Sequence, residues 1–396
     1  MDFNSVTSDQ QLTRLCDDLS TATAISFDTE FIAENSFRPE LCLVQVAHGD
    51  ALTIIDPLTI SDMRPLWRVL AEGDHQTIVH AGREEVVFSI HAIGAVPVNL
   101  FDIQVAAGLI GLEYPAGYGS LAQKLLNQTP PKGETRTDWR RRPLSEKQLE
   151  YALHDVIHLE PMRDRLASRL RQHDRLSWLD DEMSSWLGQV RDSLSRERWR
   201  RVSGTSGLPP RGKAIVRELW DWREQEAERR NSPVRRVLRD DLIAELAKRA
   251  TDNVDRIRDV RGMDRGDLRR SLPALAQSVR RALDLPDSEL PRTKHRKPLP
   301  KQLNILGQFL SSALASICHR AELAPSIVGN PSDVRELIAF RLGYAHRGDE
   351  PPSLARGWRE QVVGSVIDDL LAGKTTVRIA DPRSAEPLAF LPWETE

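Results

Sequence analysis

The chain has 396 residues, of which 40% are hydrophobic and 29% are charged, and its formal net charge is −3. This composition is typical of folded globular proteins, and the length favours two or three domains. No apolar run reaches the roughly 18–20 residues that span a bilayer, and the N-terminus resembles no secretion signal. The three cysteines are few, odd in number and far apart, which excludes a disulfide scaffold, a cysteine-rich zinc site and a CxxC redox motif. We therefore expect a cytoplasmic protein that does not act at a membrane.

The charge is distributed unevenly along the chain. Residues 1–200 carry a net charge of −9, residues 201–300 carry +8 and residues 301–396 carry −2. Carboxylates in an acidic half can hold metal ions, and a basic segment after it can bind a polyanion. Chance variation among solvated surfaces would give the same distribution, so the motifs have to decide between the two interpretations.

The first part of the chain, to about residue 128, alternates β-rich and helical patterns. Strands are predicted at AISFDTEF, LCLVQVAH and ALTIIDP, which are rich in Val, Ile, Leu and Phe. Helices are predicted at DMRPLWRVLAEG, REEVVFSIHAIG and IQVAAGLIGLE, where apolar residues recur three and four positions apart. These patterns predict an α/β domain with a mixed sheet and helices on its faces.

From about residue 145 onward the pattern is helical. One long amphipathic helix is predicted from Ser145 to Gln172, and a capping box between Ser145 and Gln148 starts it. Linkers are predicted at 201–210, rich in Gly, Ser and Pro, and at 286–300, rich in Pro and basic residues. Further helical segments follow each linker, and KTTVRIADPRSAEPLAFLP is expected to form a small terminal hairpin.

The first motif that carries chemistry is Phe27-Asp28-Thr29-Glu30-Phe31. Side chains alternate along a strand, so Asp28 and Glu30 project from the same face. Two neighbouring carboxylates in an apolar strand require a positive partner, and hard divalent cations take such oxygen ligands. An exposed strand end, where both acids face water, is the alternative interpretation.

The second motif is Tyr151-Ala152-Leu153-His154-Asp155. Tyr151 and Asp155 are four residues apart, so they share one helix face. A carboxylate beside a phenol suits a metal-bound water, because the acid can hold the ion while the hydroxyl orients the nucleophile. A Tyr/Asp pair at this spacing also occurs as simple surface decoration, and only its combination with the strand motif makes it specific.

Five segments in order resemble the ribonuclease D family, which belongs to the DEDD 3′–5′ exonucleases with a tyrosine in the third motif. They are FDTEF, RPELCLVQVA, HAGREEVVF, FDIQVAAGLIG and ETRTDWRRRPLSEKQLEYALHDVIHL. Further on, AIVRELWDWREQEAERRNSPVRRVLRDDLIAELAKRA resembles the HRDC domain that follows the nuclease in this family. The resemblance implies a ribonuclease H-like α/β exonuclease domain at 1–200, an HRDC domain at 208–285 and a second, divergent all-α HRDC-like domain at 298–396.

The resemblance also implies a role for each motif residue. Asp28 and Glu30 would be ligands of two divalent ions, with Asp28 bridging them, and Asp155 would be a further ligand. Tyr151 would orient the attacking water. Magnesium is expected because it binds through few carboxylates completed by water and substrate phosphate, and manganese is a plausible substitute. The TRTDW segment (135–139), which precedes the third motif, would either contact the substrate or order the loop to which it belongs.

The second motif of this chain departs from the family pattern. The family places an aspartate five residues after the histidine of HAxxxD, and here Glu85 stands five residues after His80. Glutamate keeps the charge and the oxygen ligands but is one methylene longer. We expect Glu85 to act as a fourth carboxylate of the metal site, and the substitution puts full catalytic competence in question.

The basic segment 201–300 suggests contacts with nucleic acid. Its arginines and lysines would contact phosphates without regard to sequence. Trp220 and Trp222 would either stack on bases or, as we favour, pack the core of a small helical domain. The candidate RNA-binding residues are Lys213, Arg217, Arg223, Arg235 and Arg236.

The motifs together with the resemblance imply a monomeric 3′–5′ exoribonuclease that trims structured RNAs with a single-stranded 3′ end, tRNA precursors being the family's substrate class. Two-metal hydrolysis would release nucleoside 5′-monophosphates. Two alternatives stay open at this point. One is a 3′–5′ exonuclease directed at DNA, since nothing in the motifs reads the 2′-hydroxyl. The other is an RNA-binding protein on a nuclease scaffold whose chemistry is weakened by Glu85.

Overall fold

A computed structural model describes most of the chain in three regions. We call them the N-terminal domain (residues 1–194), the central domain (210–285) and the C-terminal domain (300–393). No helix among the described residues is long and apolar enough to cross a membrane. The first two residues of TRTDW and the basic stretch 292–299 of the second linker lie outside the described residues. The described ranges are 1–131, 137–194, 196–291, 300–344, 350–384 and 386–393.

The N-terminal domain is built on one six-stranded sheet, which is mixed, as the sequence predicted. Its strands are β1 (Asn4–Val6), β2 (Ala24–Ile32), β3 (Glu40–His48), β4 (Ala51–Ile55), β5 (Gln76–Val79) and β6 (Phe101–Asp102). The strand order is β1-β4-β3-β2-β5-β6, with β3 antiparallel to both of its neighbours and the other pairs parallel. Strand β2 therefore lies inside the sheet, paired on both sides. The short strands β1, β5 and β6 were not predicted, because strands of two to four residues show too little alternation.

The helices of this domain cover the sheet and extend beyond it. The prediction of one long helix from Ser145 is wrong, because the structure has two helices here, separated at His158. Pro161 explains the break, since it has no N–H to donate to the carbonyl of Ile157. The predicted capping box between Ser145 and Gln148 is present. The helices are α1 (Asp9–Leu19), α2 (Arg64–Glu72), α3 (Arg83–Ile93), α4 (Ile103–Gly108), α5 (Tyr118–Leu126), α6 (Glu146–Ile157), α7 (Leu159–Gln172) and α8 (Leu176–Leu194).

The central domain is all-helical and has a hydrophobic core of its own. Leu219, Ile243, Leu275 and Val279 are fully buried in this core. A 3₁₀ helix, Arg196–Arg201, connects the domain to α8. Its helices are α9 (Pro210–Arg229), α10 (Val234–Val237), α11 (Asp240–Arg249), α12 (Val254–Arg258) and α13 (Gly266–Asp284).

The C-terminal domain shares a core with the N-terminal domain. One continuous apolar cluster contains Leu109 and Met162 of the N-terminal domain together with Leu310, Ile327 and Trp358 of the C-terminal domain. The predicted terminal hairpin is present as an antiparallel pair of strands. Its elements are α14 (Gln302–Arg320), α15 (Pro325–Val328), α16 (Pro331–Arg341), α17 (Gly357–Arg359), a π-helical turn (Glu360–Gly364), α18 (Ser365–Leu371), β7 (Thr375–Ile379) and β8 (Leu388–Pro392).

Candidate active site

Three of the predicted site residues converge on one face of the central sheet. Asp28 and Glu30 lie on β2 and project from the same face because strand side chains alternate. Asp155 lies on α6, which packs against β2 and β3. Each of the three carboxylates offers an oxygen within 4.8 Å of those of the other two. The cluster therefore joins residues that are more than 120 positions apart in the sequence.

The three carboxylates lack a cationic partner among the described residues. Burial raises the pKa of Asp28 well above its usual range, and the charges of Glu85, Asp155 and Glu30 raise it further. Burial, followed by the charges of Asp155 and Glu85, raises the pKa of Glu30 to about 8. Burial also raises the pKa of Asp155 to about 7. A group of oxygen ligands that repel each other in this way fits a hard divalent cation.

Tyr151 lies beside this cluster, one helical turn before Asp155. Burial and the neighbouring carboxylates raise the pKa of the Tyr151 phenol, so the hydroxyl stays protonated at neutral pH. The hydrogen bond between Tyr151 and Asp155 lowers the pKa of the Asp155 carboxyl, but burial raises this pKa by more. The ring centroid of Trp139 lies 6.1 Å from that of Tyr151. Trp139 is only 2% exposed, so at this position the TRTDW segment orders the loop.

Glu85 lies next to the cluster, but its carboxylate does not join the group of three. It belongs to the first turn of α3 and is buried. The Thr29 hydroxyl donates a hydrogen bond of 2.6 Å to Glu85 Oε1. Burial raises the pKa of Glu85 to about 7, although the bond from Thr29 lowers it. Among the neighbouring charges, that of Glu85 has the largest effect on the pKa of Asp28. The role of Glu85 as a metal ligand stays a prediction.

A buried aspartate that the sequence analysis did not single out holds the turn before α3. Asp102 accepts hydrogen bonds from the backbone N–H groups of Ala81 (3.2 Å) and Gly82 (2.9 Å), and it also caps α4. A Cβ at Gly82 would lie 2.4 Å from Val79 Cγ2, so the turn requires glycine at this position. An aspartate between a strand and a helix, as in FDIQ, is the signal that would have indicated this capping role.

One of the five predicted RNA-binding residues is in the wrong place for that role. Arg223 is 5% exposed and donates a 2.6 Å hydrogen bond to Asp240, so it stabilises the central domain instead. The helical pattern could not reveal this, because it does not say which arginine faces an acidic partner inside the domain. Trp220 is buried in the same core and Trp222 packs against it, as we favoured.

The other four predicted RNA-binding residues are distributed over the central domain. Arg235 is exposed. Arg236 donates a 3.0 Å hydrogen bond to Asn35 of the N-terminal domain. Arg217 and Lys213 are half-buried on α9, and the guanidinium of Arg217 lies 3.8 Å from Glu218. RNA binding by these residues stays a prediction.

Comparisons with known proteins agree with this architecture. Residues 3–171 match the family model described as 3′-5′ exonuclease, and residues 212–279 match the HRDC domain. The chain is 33% identical over 373 residues to ribonuclease D of Gluconacetobacter diazotrophicus, covering 93% of this chain and 92% of that protein. It is 32% identical over 359 residues to ribonuclease D of Pseudomonas paraeruginosa, covering 91% of this chain and 95% of that protein.

A solved structure extends the similarity to the whole fold. Escherichia coli RNase D, described as an exoribonuclease involved in structured RNA processing, superposes with a TM-score of 0.81 at 26% identity. The match covers 94% of this chain and 99% of that protein, so it includes the central and C-terminal domains as well as the sheet. The chain therefore belongs to the ribonuclease D family and is a 3′–5′ exoribonuclease with an HRDC domain.

Proposed function

We propose that this exoribonuclease trims the single-stranded 3′ ends of structured RNAs by metal-dependent hydrolysis that releases nucleoside 5′-monophosphates. The observation that carries the proposal is the convergence of Asp28, Glu30 and Asp155 within 4.8 Å of one another, with Tyr151 beside them. Water attack on the terminal phosphodiester, with departure of the 3′ oxygen, leaves the phosphate on the released nucleotide.

The chemistry of the ligands fits two divalent ions. Asp28, Glu30 and Asp155 would hold them, because carboxylate oxygens are the ligands that Mg²⁺ prefers, and Mn²⁺ accepts the same set. When bound, such ions lower the pKa of the attacking water and stabilise the charge on the leaving oxygen. The carboxylates must release their protons to bind metal, and the raised pKa of Glu30, about 8, makes that release part of metal loading.

Tyr151 and Glu85 have different tasks in this proposal. The protonated Tyr151 hydroxyl orients the attacking water, since it lies on the same helix face as Asp155. Glu85 completes the site as a fourth carboxylate, and Thr29 fixes its orientation through the 2.6 Å hydrogen bond. Anchoring of this kind holds the longer glutamate side chain at a defined position. It is consistent with a glutamate doing the work that an aspartate does in the family motif.

The proposed substrates are RNAs with a folded body and a free 3′ tail, with tRNA precursors as the first candidate. Escherichia coli RNase D, to which 94% of the chain is similar, is described as an exoribonuclease involved in structured RNA processing. We also propose that the protein works as a monomer in the cytoplasm. The three cysteines are buried and unpaired, which suits a reducing compartment, and light scattering tests the monomeric state.

A digest of 3′-tailed RNA tests the proposed mechanism. With Mg²⁺ or Mn²⁺ we expect stepwise shortening from the 3′ end and release of 5′-monophosphates, and with EDTA we expect no cleavage. Asp28→Asn and Asp155→Asn should abolish cleavage, while circular dichroism shows a retained fold. A matched DNA oligonucleotide measures the preference for ribose. Cleavage that continues undiminished in EDTA would contradict the metal assignment.

Two substitutions at neighbouring positions test the role of Glu85. Glu85→Gln should lower the rate at least about 10²-fold, as expected for loss of a charge that stabilises the transition state. Glu84→Gln is the control, because it removes the same charge at the preceding position. The Glu84 side chain pairs with Arg83 and lies outside the cluster. A fully active Glu85→Gln enzyme would remove Glu85 from the site.

A further inference from the structure

The last turn of α6 needs support from outside the helix. It carries Asp155, which has a carboxylate oxygen within 4.8 Å of those of Asp28 and Glu30 on β2. Like charges at this distance repel each other, so ionised carboxylates push the helix and the strand apart. An α-helix also leaves its last four carbonyl groups without partners inside the helix. The position of Asp155 therefore depends on contacts from another element.

Tyr118 of α5 supplies such a contact. Its hydroxyl donates a hydrogen bond to the backbone carbonyl of His154, the residue directly before Asp155. This carbonyl is the first of the last four, since α6 ends at Ile157. The N–H of His158, which would be its partner in a continued helix, bonds a different carbonyl. The tyrosine hydroxyl therefore takes the place of the missing helical bond.

The Tyr118 side chain also lies close to the acidic cluster. Burial is the main cause that raises the pKa of the Tyr118 phenol, and the charges of Asp155 and, to a smaller extent, Asp28 raise it further. The phenol therefore stays protonated at neutral pH, and its hydroxyl is available as a donor. Because this hydroxyl bonds the backbone of α6, it acts on Asp155 through the position of the helix.

His80 connects the same tyrosine to the segment that carries Glu85. The rings of His80 and Tyr118 meet edge to face, with centroids 5.7 Å apart and planes at 77°. His80 Nε2 lies 2.9 Å from the carbonyl oxygen of Ala116, and this nitrogen carries the proton because a carbonyl only accepts. His80 directly precedes the turn that leads from β5 into α3. Tyr118 therefore contacts both the helix of Asp155 and the segment before Glu85.

The start of α5 is itself held by its neighbours. The carbonyl of Ala116 accepts a second hydrogen bond, also of 2.9 Å, from Gln104 Nε2 of α4. Ala116 is buried, and so is Leu121 in the first half of α5. A hydrogen bond fixes the position of a neighbouring group only when its own side chain is held by packing. Tyr118 meets this condition, because its ring packs on His80 and its helix is anchored at both of these residues.

We propose that Tyr118 is a positioning residue of the metal site and holds Asp155 at the distance from β2 that divalent ions require. Its hydroxyl acts through the His154 carbonyl, and its ring contact with His80 connects the same side chain to the segment before α3. Groups that orient metal ligands without touching the metal affect the affinity for the metal. The proposal rests on the proposed function, because it assigns a further residue to the same site.

Tyr118→Phe tests the proposal, because it removes the hydroxyl and keeps the ring on His80. The affinity for Mn²⁺ is measured without RNA, from the electron paramagnetic resonance signal of the free ion. The variant should bind Mn²⁺ about tenfold more weakly, at the lower end of the loss that is typical of groups that orient metal ligands.

Tyr114→Phe is the matched control. Tyr114 is a second half-buried tyrosine, in the segment before α5. It bonds Ser326 through its backbone carbonyl, which the substitution leaves unchanged. This variant should bind Mn²⁺ like the wild type, and thermal unfolding confirms that both variants are folded at the temperature of the measurement.

Kinetics separate a positioning role from a catalytic one. The Mg²⁺ concentration that gives half the maximal rate on tailed RNA should rise about tenfold in Tyr118→Phe. At saturating Mg²⁺ the kcat should return to within about twofold of the wild type, and the KM for RNA should stay the same. A kcat that stays low at saturating Mg²⁺ would show that Tyr118 acts on the reacting atoms or the substrate, and it would overturn the proposal.

A double-mutant cycle shows whether the hydroxyl acts through Asp155. In an Asp155→Asn background the effect of Tyr118→Phe on Mn²⁺ affinity should disappear, because the carboxylate that it positions is gone. In a Glu85→Gln background the effect should persist. An undiminished effect in the Asp155→Asn background would overturn the proposal, since independent effects add and the hydroxyl would then act on another part of the site.

The outcomes separate this proposal from the proposed function. If Tyr118→Phe binds Mn²⁺ like the wild type, Tyr118 is not a positioning residue, and the proposed function is unaffected. If the wild type binds Mn²⁺ more tightly than the variant but cleaves no tailed RNA, the proposed function fails and the positioning role stands. A wild type that binds no Mn²⁺ would overturn both.

Discussion

The N-terminal domain contacts its two neighbours in opposite ways. Its contact with the C-terminal domain is buried and largely apolar, although the ion pair between Arg359 and Glu182 crosses it, and Trp178 stacks on Trp358 with ring centroids 5.3 Å apart. Its contact with the central domain includes three exposed polar bonds: Arg38 to Glu228, Phe37 N–H to Asn231 and Arg236 to Asn35. No buried apolar cluster among the described residues joins these two domains.

This difference indicates how the molecule divides its tasks. A shared hydrophobic core gives most of its free energy only when both parts are folded, so the N-terminal and C-terminal domains form one body. Exposed ion pairs and hydrogen bonds contribute little and weaken in salt. The central domain, with a core of its own, is therefore held to the N-terminal domain by weaker contacts than the C-terminal domain is.

The largest expected effect is at the apolar contact. Trp358→Ala should lower the free energy of unfolding by about 3–5 kcal/mol, because a buried aromatic ring leaves a cavity. Urea unfolding followed by far-UV circular dichroism measures the loss. Trp393→Ala is the matched control, since Trp393 is a 61% exposed tryptophan of the same domain, and it should change stability by less than about 0.5 kcal/mol. Equal effects of the two variants would mean that the shared core does not hold the body together.

The second prediction concerns the ion pair across the same contact. Arg359 binds both oxygens of Glu182 at 2.7 and 3.0 Å, and both side chains are mostly buried. Arg359→Met should cost about 3 kcal/mol, because it leaves the Glu182 carboxylate buried without a partner. Glu182→Met in the same chain should recover part of this loss, and a double-mutant cycle in urea measures the coupling. Strictly additive losses would show that the pair does not couple the two domains.

The third prediction separates the two bodies by pH and metal. A carboxyl group whose pKa is raised on folding stabilises the folded state at low pH, and this contribution is lost as the pH rises through the raised value. In EDTA the body that contains Asp28 and Glu30 should therefore lose stability progressively up to the pKa of Glu30, which is about 8, and the interval from pH 7 to pH 8 contains the last part of this loss. Histidines with lowered pKa values, such as His80, have finished titrating in this window.

Calorimetry with and without Mg²⁺ measures this effect. Added Mg²⁺ should restore the transition of the N-terminal and C-terminal body at pH 9, because the metal binds the deprotonated carboxylates. Asp28→Asn is the control, and it should flatten the pH dependence. The transition of the central domain should respond to neither change. A metal-dependent shift of both transitions together would show that the chain unfolds as a single body.

The sequence predicted which residues form the site better than it predicted which surfaces of the domains contact each other. Strand alternation placed Asp28 and Glu30 on one face, and helical spacing placed Tyr151 with Asp155. Both rules are local, so they hold wherever the element packs. The capping box at Ser145 was predictable for the same reason. By contrast, the structure shows that Glu85 bonds to Thr29, which no local rule reveals.

Contacts between domains depend on which surfaces meet, and periodicity does not contain this information. The helical pattern suggested that Arg223 was available to bind RNA, yet this arginine is buried against Asp240. The C-terminal helices were predicted, but their shared core with the N-terminal domain was not. That this segment forms a second HRDC-like domain stays a prediction.

The smallest expected effect is at the polar contact with the central domain. Arg38→Ala removes an ion pair whose two side chains are 53% and 59% exposed, so it should lower the free energy of unfolding by less than about 1 kcal/mol. At 0.5 M salt the difference should disappear, since exposed charges are screened. A double-mutant cycle with Glu228→Ala measures the coupling, and Arg64→Ala, which removes an exposed pair within the N-terminal domain, is the control. A loss of 2 kcal/mol or more that persists in salt would show that the central domain is held as firmly as the C-terminal domain.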